Sequence, residues 1–315
     1  MKVDYHSHFE GSIPWSAFAT LFIKNKEELI ETQVPDFFSL PFQLGVSKGI
    51  IQLLKDNISH TNLTKFLKSR FVLSSPAENL LDFIQRLPTA FIRWGCLNIE
   101  DLRFLLNEVI NDYCNYSHVE VFFCPFALET VNYSWEDVCE MFSQVWLSFS
   151  PMQRNKFTFV LSLRKGQKDI KLDTVKKVVK LSNKYLNCGV TKIDICGDED
   201  SYSYTTFGKQ LEYLVKNSKL KLSLHIGETT DRDFAYVLGN FPEILQFNHG
   251  TKIVDSPDLL NIAKERNIFF TICPESNLYT GSLSFGGVNK LLRTFRENGI
   301  KYGWGSDDKS IIGAI

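Results

Sequence analysis

Leu220-Lys221-Leu222-Ser223-Leu224-His225 reads as a short strand, residues 231–239 as a helix, and Ile244-Leu245-Gln246-Phe247-Asn248 as a strand again. The strands are brief apolar runs rich in residues that suit a pleated surface, and the segments between them carry helical spacing. The same unit extends in both directions. Strands are expected over 119–123, 157–163, 190–196, 268–273 and 300–305, with helices over 135–148, 173–186, 206–217, 257–266 and 287–298. Lys2-Val3-Asp4-Tyr5 supplies one more strand near the start. Strands that alternate with helices pair in parallel, and eight such units close a barrel. The expected fold class is α/β, a (β/α)8 TIM barrel.

Between the first and second strands the period changes. Trp15, Phe18, Leu21 and Phe22 recur at helical spacing, as do Leu63, Phe66, Leu67 and Phe71, then Leu80, Leu81, Ile84 and Leu87. Pro35, Pro41, Pro76 and Pro88 punctuate this stretch, and a helix over 99–113 closes it. We read a helical insertion over about 14–113 within one domain that spans 1–315. A chain of 315 residues suits a barrel of roughly 250 residues plus such an insertion. The helix expected after the eighth strand is missing: either the C-terminus is shortened, or a second subunit of a homo-oligomer or another partner covers the seam.

Composition narrows the function. With 35 basic and 36 acidic residues and no basic block, a surface for duplex nucleic acid is not expected. No apolar run reaches the length of a membrane span, and no leader precedes the first strand, so neither membrane association nor secretion is expected. Seven scattered cysteines without a C-x-x-C pair fit reduced thiols in a cytoplasmic protein.

Chemistry collects where barrel enzymes work, at the C-terminal ends of the strands. Asp4-Tyr5-His6-Ser7-His8-Phe9-Glu10-Gly11-Ser12 follows the first strand. Alternation places His6 and His8 on one face, close enough to share an ion. Gly197-Asp198-Glu199 ends the fourth strand, His225-Ile226-Gly227-Glu228 the fifth, and Asn248-His249-Gly250-Thr251 the sixth. Pro274-Glu275-Ser276-Asn277 ends the seventh, and Ser306-Asp307-Asp308 the eighth. Any one of these could be a solvated loop start; four histidines and two aspartates on one rim suit a site. His6, His8, His225 and Asp307 suit a single catalytic Zn2+, which makes a nucleophile of its water. His249 is placed to orient that water, and Glu228 to act as the acid. His60 and His118 are expected on the surface or in loops.

These segments, together with Asp194-Ile195-Cys196, resemble the adenosine deaminase family of metal-dependent hydrolases, in order and across almost the whole chain. The P-C-x-x-C motif that the other zinc deaminase type pairs with H-x-E is absent. The resemblance implies that His6, His8, His225 and Asp307 bind zinc. It implies that Glu228 protonates N1 of a 6-aminopurine while water adds at C6, and that His249 supports the tetrahedral intermediate. It implies that Asp308 hydrogen-bonds N7, that the Gly197 backbone faces N3, and that Glu10 lies on the ribose side.

Two departures bear on substrate. Glu10 replaces the usual aspartate of adenosine deaminases, as in adenine deaminases, and Lys309 replaces the usual proline, as in the branch acting on N6-modified adenosine monophosphates. Arg164, Lys165 and Lys309 could meet a phosphate. The expected substrate is a purine nucleoside or its 5′-monophosphate, with free adenine as the alternative. Two other readings stay open. One is a binding or structural subunit active only in an assembly. The other is a two-metal amidohydrolase, which would want a lysine where Cys196-Gly197-Asp198 stands.

Overall fold

The computed structural model describes residues 2–32, 34, 37–38 and 40–312. Pro35 lies outside the described residues. Eight strands run parallel: β1 (Lys2–His8), β2 (Tyr116–Phe123), β3 (Phe157–Arg164), β4 (Val190–Cys196), β5 (Lys221–Ile226), β6 (Gln246–His249), β7 (Phe269–Ile272) and β8 (Lys301–Trp304). Each pairs with the next in one sheet ordered β1 to β8. A parallel strand wrapped by helices is buried on both faces, and β3 and the second half of β2 are buried at nearly every position. The sheet closes on itself without a β8–β1 ladder. A single bridge joins Ser7 to Asp307: the His8 amide donates to the Asp307 carbonyl at 2.9 Å, and the Asp307 amide donates to the His6 carbonyl at 2.7 Å. The architecture is a nearly closed (β/α)8 barrel.

The insertion between β1 and β2 is helical as expected. It includes Trp15–Lys24, Pro41–Lys55, His60–Phe71, Thr89–Gly95 and Ile99–Asp112. Its core is aromatic: Trp15 stacks on Phe71 with ring centroids 4.8 Å apart, and Phe71 meets Phe91 edge-on at 4.9 Å. Asn98 begins the last helix by accepting from the amides of Glu100 and Asp101. The segment after Asp308 packs against the insertion, with Trp15 Nε1 donating to the Ser310 carbonyl and the Leu73 amide to that of Ile311.

Most boundaries fall within a few residues of the sequence reading. β2 begins three residues early, because Tyr116-Ser117-His118 lacks an apolar run yet still pairs with β1. His118 therefore lies in a strand rather than a loop, half-buried, with its ring 5.2 Å from Tyr5 and its Nε2 3.6 Å from Glu120. The helix expected over 206–217 starts as a 3-10 turn, Tyr204–Phe207, and becomes α-helical at Gly208–Asn217. No helix among the described residues is long and apolar enough to cross a membrane.

Candidate active site

The alternation of β1 brings His6 and His8 to one point. Their Nε2 atoms lie 3.1 Å apart, and His8 Nε2 lies 3.1 Å from His225 Nε2 at the end of β5. Asp307 Oδ1 sits 3.5 Å from His6 Nε2 and 3.3 Å from His8 Nε2. Asp307 reaches inward because its backbone takes the left-handed conformation, φ 59°, and both its amide and its carbonyl are held by β1.

These four side chains fit a metal ion. The far ring nitrogens are committed: His6 Nδ1 lies 3.2 Å from Thr271 Oγ1, and His225 Nδ1 lies 2.8 Å from Asp194 Oδ2. Thr271 donates its own proton to Asn248 Oδ1, so it accepts from His6. Both Nε2 atoms thus present lone pairs toward His8, an arrangement that a cation relieves. Burial holds His6 down at about 3 and His225 well below its usual value. Burial opposes the charge of Asp307, yet the hydrogen bond with His6 and the nearby His249 and His8 keep its carboxyl well below the usual range. Neutral imidazoles and an ionised carboxylate are the forms that ligate metal. Four of the six separations among these ligand atoms, 3.1–3.5 Å, are close to the edges, about 3.3–3.4 Å, of a tetrahedron built on zinc–nitrogen distances near 2.0–2.1 Å, and the donors converge as two overlapping groups, His6-His8-His225 and His6-His249-Asp307.

Glu228 and His249 flank this set. Both are buried, with His249 Nε2 3.7 Å from Glu228 Oε2. The Asn277 amide nitrogen donates to both, at 3.1 Å to His249 Nδ1 and 3.4 Å to Glu228 Oε1. Burial, with Asp307 and Glu199 adding to it against the pull of His249, pushes the Glu228 carboxyl up to about 7. It can therefore hold a proton near neutrality. His249 is shifted upward as well: burial disfavours its charge, but Glu228, Asp307 and Glu199 raise its pKa overall. The loop that carries Glu228 is clamped from both sides. Glu199 accepts from the amides of Gly227, Glu228 and Thr229 at 2.6, 2.9 and 2.9 Å. Thr251 Oγ1 donates to the carbonyls of Gly227 and Glu228.

Asp308 stands across the cavity. Burial and the adjacent Asp307 push its carboxyl well above the usual range, and its Oδ1 is buried without a hydrogen-bond partner among the described residues. A neutral carboxyl is a donor, and an unpartnered buried polar atom is costly unless a ligand meets it. Gly11 makes room for it: a Cβ there would come within 1.8 Å of Asp308 Oδ1. Gly11→Ala is expected to displace Asp308 or cost about 1–3 kcal/mol of stability. Turnover and thermal melting of the variant, measured together, separate the two effects.

Glu10 lines the same cavity, and its Oε1 accepts from the Cys124 amide at 2.9 Å. Gly197 lines it too, with φ 104°, a value that side chains rarely adopt. The three cations expected near a phosphate go separate ways. Arg164 lines the cavity. The Lys165 ammonium is buried over the Tyr204 ring, 4.6 Å from its centroid. The Lys309 ammonium pairs with Asp112 and sits over the Tyr113 ring at 3.4 Å, and Lys309 is not among the residues of the cavity wall.

The supporting residues Asp194, Asn248, Thr271 and Ser276 had no assigned role in the sequence. Asn248 donates to Asp194 Oδ1 at 2.8 Å, and Ser276 donates to Asp307 Oδ2 at 2.6 Å. For the three that lie on strands the signal was a polar residue in an apolar run, as with Asp194 between Ile193 and Ile195; Ser276, on the helix Pro274–Tyr279, carried none. Asp194→Asn is expected to weaken metal affinity about 10–100-fold by loosening the tautomer and tilt of His225. Competition with a chromogenic chelator reads this directly.

The cavity encloses about 770 Å³. The sequence profile of the family described as "Adenosine deaminase" matches residues 60–315. An adenosine deaminase of Clostridium botulinum (strain Langeland) is 24% identical over 217 residues, covering 68% of this chain and 62% of the relative. The chain thus spans about three fifths of the length of such curated relatives. Among solved structures, Arabidopsis ADAL complexed with GMP superposes with a TM-score of 0.70 at 18% identity, over 98% of this chain and 81% of that one. An amidohydrolase of Burkholderia ambifaria with bound Zn gives 0.65 at 17%, over 98% and 76%.

Proposed function

The chain belongs to the adenosine deaminase family, and on that premise we propose that it is a zinc-dependent hydrolase removing the 6-amino group of a purine nucleoside or nucleoside 5′-monophosphate. Water adds at C6, N1 takes a proton, and the C6–N bond then breaks to release ammonia and leave a 6-oxopurine. The observation that carries the reading is one rim holding two sets of groups. His6, His8, His225 and Asp307 converge as a metal-ligand set, and Glu228, protonated to near neutrality, stands beside His249.

His6, His8, His225 and Asp307 would hold the metal. Zinc, when bound, supplies an activated water as nucleophile. The protein's own groups do the rest. Glu228 holds the proton that N1 receives, and Asn277 fixes both Glu228 and His249 in place. His249 orients the water and supports the charge that develops as C6 becomes tetrahedral. Asp308, kept neutral, donates to N7, which is an acceptor in every 6-aminopurine. The Gly197 backbone faces N3.

The test is ammonia release from adenine, adenosine, deoxyadenosine, AMP and dAMP by zinc-loaded protein, with metal content measured alongside. The expected result is turnover of a nucleoside or nucleotide, about one zinc per chain, and loss of activity with a chelator. Silence on all five by fully loaded protein would overturn the reading. Turnover of adenine alone would move it to the free base.

A further inference from the structure

We propose that Arg93 and Arg164 form a subsite for the 5′-phosphate of a nucleoside monophosphate, an inference that rests on the deaminase reading above. The wall of the cavity includes His225, Glu228 and Glu10 together with both arginines. Arg164 is the last residue of β3, and Arg93 lies on the helix Thr89–Gly95 of the insertion. Two elements far apart in sequence thus place a guanidinium each on one wall.

Each guanidinium is anchored by a single nitrogen. Arg164 Nε donates to Asp169 Oδ2 at 3.0 Å, and Arg93 Nε donates to the Glu129 carbonyl at 3.1 Å. The Phe37 ring lies against Arg93, 4.5 Å from its centroid to the guanidinium carbon. The terminal nitrogens of both forks make no hydrogen bond among the described residues. An arginine fixed through Nε, with its two outer nitrogens turned to a cavity, is pre-organised for an oxyanion.

The charge balance points the same way. Asp169 offsets Arg164, and Glu129 offsets the neighbouring Lys168. Arg93 has no ion pair among the described residues. Burial, and then the proximity of Arg164, lower its pKa, which places the two cations within reach of each other. Two half-buried like charges repel, and an anion between them removes that cost. Glu10 lines the same cavity, held there by the Cys124 amide. A substrate with its base beside Glu228 and its sugar beside Glu10 would leave its 5′ substituent for the arginines of the same cavity. A phosphate has enough oxygens to meet two forks from different directions.

The test compares kcat/KM for AMP and adenosine in zinc-loaded wild type, Arg93→Ala, Arg164→Ala and Arg93→Lys. The wild type is expected to favour the monophosphate. Each alanine variant is expected to lower the monophosphate-to-nucleoside ratio about ten- to hundredfold, mainly through KM. Arg93→Lys is expected to recover part of the loss, which a purely structural role would not predict. Zinc content and melting temperature identify a misfolded variant, and the Arg93 pair then decides, because Arg164 also anchors Asp169. A ratio unmoved by both alanine substitutions, or a wild type that prefers adenosine, overturns the subsite. If wild type deaminates no purine, the functional reading fails separately. Calorimetry with ribose 5-phosphate and ribose then judges the subsite alone. Binding of ribose 5-phosphate that Arg93→Ala abolishes supports it, and no binding overturns it.

Discussion

Glu228→Gln is expected to keep zinc and substrate and to lose about 10²–10⁴-fold in kcat. The substitution preserves size, and glutamine can still meet the Asn277 amide that now lies 3.4 Å from Glu228 Oε1. It cannot give up a proton. The loss should therefore fall on kcat, with KM little changed, because the missing interaction belongs to the transition state. Burial is the main reason the native carboxyl is pushed up to about 7 and can act as an acid at all. The checks are steady-state kinetics and zinc analysis on one preparation. A kcat within tenfold of wild type, at full metal occupancy, removes Glu228 as the acid.

His225→Ala is expected to lose the metal. The substitution takes away one of the three Nε2 atoms that converge near His8. It also leaves Asp194, wholly buried, without the ring nitrogen 2.8 Å from its Oδ2. Asn248 and Ser223 still donate to Oδ1, but a buried Oδ2 without a partner costs about 1–3 kcal/mol, so the melting temperature should fall as well. After dialysis, zinc should drop well below one per chain, and activity should vanish without returning at micromolar zinc. Full occupancy in this variant would exclude His225 from the ligand set.

The barrel was legible because parallel strands are short apolar runs set between helical spacings, and the run from Val119 to Gly305 follows that rule with few exceptions. The residues that converge were legible for a related reason. His6, His8, His225, His249 and Asp307 are polar positions where apolar strands end, and a rim is where such positions meet. The supporting layer was harder to see. Asp194 and Thr271 sit inside strands, where one polar residue among apolar ones does not say what it faces. Lys309 shows the opposite failure. It follows the aspartates directly, but its ammonium meets Asp112 and the Tyr113 ring instead of the cavity. Arg93 was hidden in a helical stretch whose aromatic residues dominate its pattern. Nothing in that pattern tells which helical cation faces the strand ends.

The seam of the barrel has a consequence for how the chain reaches its native state. β1 and β8 meet through the Ser7–Asp307 bridge, and the Ser306 amide donates to Asp4 across 302 positions of sequence. Contacts of such separation carry a high loop-closure entropy, and topology of this kind slows folding. The residues that close the ring are also those that would hold the ion. A ligand that binds only the closed form stabilises it by mass action. An ion held by these residues would therefore couple its own uptake to closure of the ring, acting as a latch on a contact between the two ends of the chain.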